Sequence, residues 1–193
     1  MKIIGIGGMN GSGKDTVAKY LSEKFGFLNA SATEMFLEEL KKRGWPPDRE
    51  SKRKLSAEWR REFGLGVIVD KGVELYNADP KKYKGLAVGS LRNPGEADRV
   101  HELGGIMLWV DAEPSIRYER IQKNLAERKG THVEENKTFE EFLAEEKAEM
   151  KHSGDAATLS MGDVKARADI TLDNSANVDS FKKTIEKALA AYL

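Results

Sequence analysis

"IGIGGMNGSGKDTVAKYL", residues 4–21, decides the fold of this chain. A short apolar run ending in glycines gives way to a helix pattern with Val17, Ala18 and Leu21 on one side. Between the two, Gly8, Gly13 and Lys14 satisfy G-x-x-x-x-G-K. Strand, glycine loop and helix follow in the order that this phosphate-cradling motif requires. Gly11 and Gly13 let backbone amides curl around an anion, and the helix N-terminus adds its partial positive charge. A dinucleotide turn would need G-x-G-x-x-G, and glycines at 5, 7, 8, 11 and 13 do not phase that way. Asn10, Gly11, Ser12, Gly13 and Lys14 are therefore expected to wrap the phosphates of ATP, with Lys14 reaching the β- and γ-phosphates.

The residue after the lysine is Asp15, where a serine or threonine usually holds magnesium. An acid in a first helical turn gains about 0.3–1 kcal/mol from the helix dipole. Beside several phosphates, however, a carboxylate repels unless a divalent cation lies between. The expectation is that Asp15 helps to hold Mg2+, directly or through water, and that Thr16 bonds an α-phosphate oxygen.

Further strand signals follow at "FLNA" (27–30), "GLAVGS" (85–90), "IMLWV" (106–110) and "ADITLDN" (168–174). Helical spacing or turn residues separate them. Ser31 and Glu34 have capping-box spacing before a helix that stops at Gly44. Leu55, Trp59 and Phe63 mark a second helix, and Val67 to Tyr76 a third. Pro94 to Leu103, Pro114 toward Arg128, "TFEEFLAEEKAEM" and the Phe181, Ile185, Leu189 series complete the set. Five short apolar strands alternating with helices indicate a parallel sheet covered on both faces, an α/β class. Two segments lack strands, about 31–82 and 124–160, and are expected as insertions over the carboxyl edge of the sheet, where open α/β folds bind ligands.

Composition narrows the setting. At 193 residues one domain is expected, with 39% hydrophobic and 33% charged residues. Lysine plus arginine equals aspartate plus glutamate at 32 each, so no net field steers the chain to nucleic acid or membrane. The absence of cysteine removes disulfide, thiolate and thiolate-metal chemistry. The first apolar run, Ile3 to Ile6, is too short for a signal peptide or membrane span, so a cytoplasmic protein is expected. The charge balance hides a local asymmetry. Lys41 to Glu62 carries nine basic against four acidic residues, and Glu134 to Met150 seven acidic against two basic. The acidic run reads as a solvated helix face.

"GSGKDTVAKYL", "EWRREFGLGVI", "LRNPGEADRV" and "VDAEPSIRYERI" together resemble the P-loop nucleoside monophosphate kinase superfamily, and within it the adenylate-kinase-like or dephospho-CoA-kinase-like branch. The G-K-D-T form is also similar to viral deoxynucleoside monophosphate kinases. The resemblance implies a P-loop NTPase three-layer α/β/α sandwich on a five-stranded parallel sheet. Its core would span about 1–30, 83–123 and 161–193, with a helical acceptor-binding insertion at about 31–82 and a lid at about 124–160.

What the resemblance implies for residues follows motif by motif. Arg92, just after the third strand, would contact the acceptor phosphate. Arg120, on the helix after the fourth, would face the donor nucleotide, with Arg117 a weaker candidate. Arg128 would close over the phosphates from the lid, with Lys123 and Lys129 as lesser candidates. Thr33, Glu34, Arg49, Arg60 and Arg61 would lie on the acceptor side. Arg60 and Arg61 point about 100° apart on a helix, so one of them faces the substrate. The chain departs from its relatives at Leu37 and Asn124, where many carry arginine, and at Gly89, where many carry an aspartate. His101, His132 and His152 have no metal-ligand spacing. Trp59 reads as core, Trp45 as exposed at an insertion tip, and Asp111 as a helix cap or water ligand.

The resulting expectation is an ATP- and Mg2+-dependent kinase acting on a nucleoside or deoxynucleoside monophosphate, as a monomer or homodimer. Dephospho-CoA is the alternative acceptor, and its hydroxyl would want a general base such as Glu34. A nucleotide-binding regulatory protein with little transfer activity is the rival from another class.

Overall fold

Alternation along the first strand sets the layers. In the computed structural model, which describes residues 1–127, 137–151 and 153–193, β1 (Lys2–Gly8) sends Ile3 into one apolar cluster and Ile4 and Ile6 into another. The strand is buried from Ile3 onward. It is flanked on both sides, as a parallel strand covered by helices must be. The remaining strands are β2 (Phe27–Ser31), β3 (Gly85–Leu91), β4 (Ile106–Asp111) and β5 (Ile170–Asp173), and all pairings are parallel in the order β2-β3-β1-β4-β5.

Helices α1 (Lys14–Phe25) and α9 (Val178–Leu189) cover the face of Ile4 and Ile6 through Val17, Leu21, Phe181 and Ile185. The opposite face receives α4 (Val67–Ala78), α5 (Pro94–Glu102) and α8 (Met161–Ala166) through Ile68, Val100 and Val164. Two further helices, α2 (Ala32–Arg43) and α3 (Arg49–Phe63), extend this cluster by Leu40, Leu55 and Trp59. The last two are α6 (Pro114–Glu127) and α7 (Phe139–Glu149). The five-stranded sheet, its two helical layers and the helical stretch after β2 agree with the expectation from sequence. Among the described residues no helix is long and apolar enough to cross a membrane.

The helix ends have local causes. Gly26 and Gly44 close α1 and α2 in the left-handed conformation (φ 72° and 68°), each backbone N–H returning to carbonyls in the last turn. Asp48 Oδ1 accepts from Ser51 N at 2.7 Å to start α3. Two sequence readings are corrected here. Trp45 is half-buried against the core rather than exposed, with Arg43 and Lys54 over its ring at 5.4 and 4.6 Å. The six residues of α8 were not anticipated, being too few to show a helical period.

One irregularity matters for the site. The β1–β3 register runs Ile6↔Gly89 and then Gly7↔Leu91, so Ser90 is an extra residue, a β-bulge, with φ 64°. It lies where β1 and β3 are adjacent. The helices that follow these strands, α1 and α5, leave to opposite faces of the sheet. That crevice is where open α/β sheets bind ligands.

Candidate active site

The glycines of the loop are required by contact as well as by conformation. A Cβ on Gly11 (φ 74°) would sit 2.6 Å from the Arg117 carbonyl oxygen, and one on Gly13 (φ 96°) 2.2 Å from Asn174 Nδ2. Asn174, directly after β5, donates from Nδ2 to the Ser12 carbonyl at 2.8 Å. The loop is thus clamped from β5 and from α6, which leaves its backbone amides preset for an anion. Lys14 opens α1 and is only 7% exposed. Its Nζ reaches the Met9 carbonyl at 3.4 Å. Burial, with the neighbouring charge of Arg92, lowers its pKa from 10.5 to about 8.

This loop forms one end of a cavity of about 880 Å³, within the range of small-molecule sites. Asn10, Gly11, Gly13, Lys14, Asp15 and Thr16 line it, as do Thr33, Arg49, Arg60, Arg92 and Arg120. These candidates, drawn from the loop, α1, α2, α3, the end of β3 and α6, are brought to one place. Three others are not. Ser12 is fully buried behind the loop with its hydroxyl unpartnered. Glu34 is exposed and outside the lining, so it is not placed to take a proton from an acceptor. Arg61 also points away, to Asp155 at 2.5 Å. Arg128, Lys129, His132 and His152 lie outside the described residues.

The lining arginines differ in what they are free to do. Arg60 is 5% exposed and gives two hydrogen bonds to Glu96 Oε1, at 2.9 and 2.7 Å, and a third to the Ala157 carbonyl at 3.0 Å. Glu96 in turn accepts from the backbone N–H groups of Arg92 and Asn93 at 2.7 and 3.0 Å. The Asn93 amide donates to the carbonyls of Ala156 and Thr158. "RNPGE" is therefore mostly scaffold, a capped start for α5 that fixes Arg92 at the cavity. Arg60 belongs to that scaffold.

Arg117 is likewise engaged, with Nε on the Ala112 carbonyl at 2.8 Å and Nη1 on Glu146. Burial raises the Glu146 pKa against the opposing pull of Arg117. Arg120 donates from Nη2 to the Asn174 carbonyl at 2.8 Å, while its buried Nη1 has no partner. Asp111 accepts from Ala112 N at 3.0 Å and Trp109 Nε1 at 3.2 Å and lies near Arg117 and Lys165; neither hydrogen bond involves an N–H of α6, so these bonds do not cap that helix. His101 pairs with Asp169 at 2.9 Å, away from the cavity.

The acidic run from 134 to 150 corrects the reading of a solvated face. Glu145 and Glu149 of α7 line the cavity and pair with Arg49, Arg53 and Arg92. Burial alone would raise the Glu145 pKa, but the Lys137 ammonium, Arg49 and Arg53 hold it below its ordinary value. Sequence reasoning missed Arg53, Asn174 and Glu149. Arg53 stands four residues after Arg49, one turn along the same face, and that spacing would have found it.

A metal could be held only sparsely. No group of three or more acidic or histidine side chains could hold an ion among the described residues. Asp15 offers one exposed carboxylate at the cavity, beside the Thr16 hydroxyl. That donor set suits Mg2+, which keeps several waters and takes one or two carboxylates plus phosphate oxygens.

A family model described as an AAA domain matches residues 4–145. The chain is 32% identical over 188 residues to a UPF0200 protein of Pyrococcus abyssi, covering 95% of this chain and 93% of that one. It is 28% identical over 195 residues to another from Pyrococcus horikoshii, covering 99% and 97%. Among solved structures, it matches a shikimate kinase from Bacteroides thetaiotaomicron with TM-score 0.58 at 10% identity, over 98% of this chain and 97% of that one. A shikimate kinase from Acinetobacter baumannii in complex with shikimate gives 0.55 at 16% identity, over 99% and 94%. A gluconokinase from Sinorhizobium meliloti 1021 gives 0.54 at 12% identity, over 98% and 92%. The structural likenesses show the fold, that of a P-loop kinase, which generally binds ATP with Mg2+. The chain belongs to the UPF0200 family, with an AAA domain as its core.

Proposed function

We propose that this member of the UPF0200 family is a kinase that transfers the γ-phosphoryl group of Mg2+-bound ATP to a nucleoside or deoxynucleoside monophosphate. The observation that carries this reading is one continuous cavity lined by both the clamped loop with buried Lys14 and the guanidinium groups of Arg49, Arg53 and Arg92. Phosphoryl transfer asks little covalent chemistry of a protein. It needs donor and acceptor held in line, with cations around the transferring oxygens. Lys14 supplies a desolvated positive charge, and the unpartnered Nη1 of Arg120 a second donor on the nucleotide side. Arg92, fixed by the Asn93–Glu96 cap, would bridge donor and acceptor.

In the same reading, 31–82 is the acceptor-binding insertion and 124–160 the lid, whose helix α7 meets α3 through ion pairs. Mg2+, if held here, would supply charge neutralisation for the bound phosphates. Asp15 and Thr16 would hold its hydration shell and the neighbouring phosphate.

A monophosphate acceptor is ionised at neutral pH and wants no general base. A hydroxyl acceptor such as dephospho-CoA does, and the exposure of Glu34 outside the lining counts against it. The solved kinases of like fold act on shikimate and gluconate by name, so both belong in the test. ADP release is measured across nucleoside and deoxynucleoside monophosphates, dephospho-CoA, shikimate and gluconate. One preferred monophosphate is the expected result. A preferred hydroxyl acceptor would replace the reading, and acceptor-independent behaviour would favour a nucleotide-binding regulator. In Asp15→Asn the Mg2+ concentration for half-maximal turnover should rise about tenfold, as expected for losing a charged ligand; an unchanged dependence would remove Asp15 from the metal site.

A further inference from the structure

The basic run and the acidic run meet face to face. Arg49 and Arg53 lie four residues apart on α3, and Glu145 and Glu149 four apart on α7, so each pair forms one stripe. Arg49 Nη1 donates to both oxygens of Glu145, at 2.9 and 3.0 Å, and its Nη2 to Glu149 at 3.2 Å. Arg53 Nη2 donates to Glu149 at 2.6 Å. Arg92 Nη1, coming from the end of β3, reaches the other Glu149 oxygen at 3.4 Å. The Glu149 side chain is only 6% exposed, whereas Arg53 is 46% exposed. Three guanidinium groups from two separate segments thus enclose one carboxylate, at the wall of the cavity that also holds Lys14.

The charges do not balance. Arg49, Arg53, Arg92 and Lys137 face Glu145 and Glu149, four cations against two carboxylates, which leaves two positive charges in this ion-paired set. A phosphate monoester carries about −1.5 to −2 charges at neutral pH and offers three acceptor oxygens to planar forks. Glu149 is shared by all three arginines, and of the three Glu145 takes only Arg49 and a longer contact to Arg53, so the charge and donor count of the set exceed what the two carboxylates supply. The arrangement is an anion site of convergent arginines with a carboxylate already in it.

We propose that Arg49, Arg53 and Arg92 form one anion subsite, and that Glu149 is its resident occupant, displaced when a dianionic phosphate group binds. Glu149 is the last residue of α7, so its release requires movement of one helix end and not of the sheet. Exchange favours a dianion because the incoming charge exceeds the one that leaves; a monoanionic carboxylate ligand gains nothing by the swap. Glu149 thereby sets selectivity for phosphorylated acceptors. That this phosphate is the acceptor's rests on the kinase reading above, but the displacement itself does not.

The test is calorimetric titration of inorganic phosphate, with acetate as the monoanion control, at saturating Mg2+ and a non-hydrolysable ATP analogue to fill the loop. Apparent affinity falls in proportion to the fraction of molecules whose site is open. Glu149→Gln should therefore bind phosphate at least about tenfold more tightly than the wild type, and Arg53→Gln in either background should weaken it by a similar factor. Wild-type protein should not bind acetate measurably. Phosphate binding that is unchanged or weaker in Glu149→Gln would overturn the proposal. Thermal unfolding checks that each variant folds; if Glu149→Gln does not, Glu149→Asp shortens the carboxylate and should give an intermediate tightening, and its failure to tighten overturns the idea equally. Tighter phosphate binding without any acceptor-supported ADP release would leave the subsite standing and remove the kinase reading. The converse pair of results would do the reverse.

Discussion

Lys14 offers the most direct test of the donor site, because its charge and its burial oppose each other. Burial first, then the nearby Arg92 charge, lowers its pKa from 10.5 to about 8 in the free protein. That displacement corresponds to roughly 3 kcal/mol of strain against the charged form. The sign follows directly. The folded pKa lies below the unfolded one, so between about pH 8 and pH 10.5 the unfolded chain binds more protons, and this group makes stability rise with pH across that window.

A polyphosphate in the loop surrounds Nζ with negative charge and restores an ordinary lysine. Binding must then take up a proton wherever the free protein has lost it, about half a proton near pH 8 and about 0.9 near pH 9. Affinity should fall by up to about tenfold per pH unit above 8. The assay is calorimetry of an ATP analogue with Mg2+, in buffers of different ionisation enthalpy, where the slope counts protons. Lys14→Met keeps the apolar stem and should abolish both the uptake and most of the binding. A wild-type uptake below about 0.2 protons near pH 9 would show that binding does not raise the Lys14 pKa as a phosphate beside Nζ must.

Two further outcomes separate scaffold from site. Arg60→Ala leaves the Glu96 carboxylate, 1% exposed, without its main partner, which costs about 3–5 kcal/mol. For a chain of this size that lowers the melting temperature by about 10 °C; an unchanged melt with lost turnover would return Arg60 to the substrate ligands. Ser90 holds φ 64° at the bulge beside the loop, so Ser90→Gly should stabilise the protein by about 1 kcal/mol in urea unfolding. A loss of stability would show that the backbone there is not strained.

Much of the fold was legible because it rests on local signals. Apolar runs beside glycines marked the strands, and Gly26, Gly44 and Asn93 end or start helices by their own conformations and hydrogen bonds. The site was legible where one segment carries it whole, as in residues 8–16. It was obscured where packing joins distant segments. Nothing in "EEFLAEEKAEM" shows which carboxylates turn inward, because a helix with no apolar stripe has no visible inner face. Partners on other elements, Arg49 and Arg53 of α3, Arg92 after β3 and Arg117 of α6, decide it. Likewise Arg60 and Arg61 are adjacent in sequence, yet one is locked to Glu96 and the other reaches Asp155. Arg60 is the one of the two that lines the cavity, and there Glu96 holds it.

The same distinction bears on the acid missing at Gly89. A Cβ there would meet nothing closer than Ala18 Cβ at 3.9 Å, so space does not exclude a side chain. The bulge changes what the end of β3 presents. Ser90, the inserted residue, lines the cavity with Lys14, Asp15 and Thr16, and Gly89 does not. Ser90 is the residue that takes the positive φ of the bulge, and it offers a hydroxyl-bearing side chain to the cavity. Asp15 places a negative charge at the cavity from the N-terminus of α1, where the dipole favours it. If Ser90 and Asp15 share one hydrated ion, then combining Asp15→Asn with Ser90→Gly should change the Mg2+ dependence by less than the product of the two single effects. Independent, multiplicative effects would place the two side chains on separate tasks.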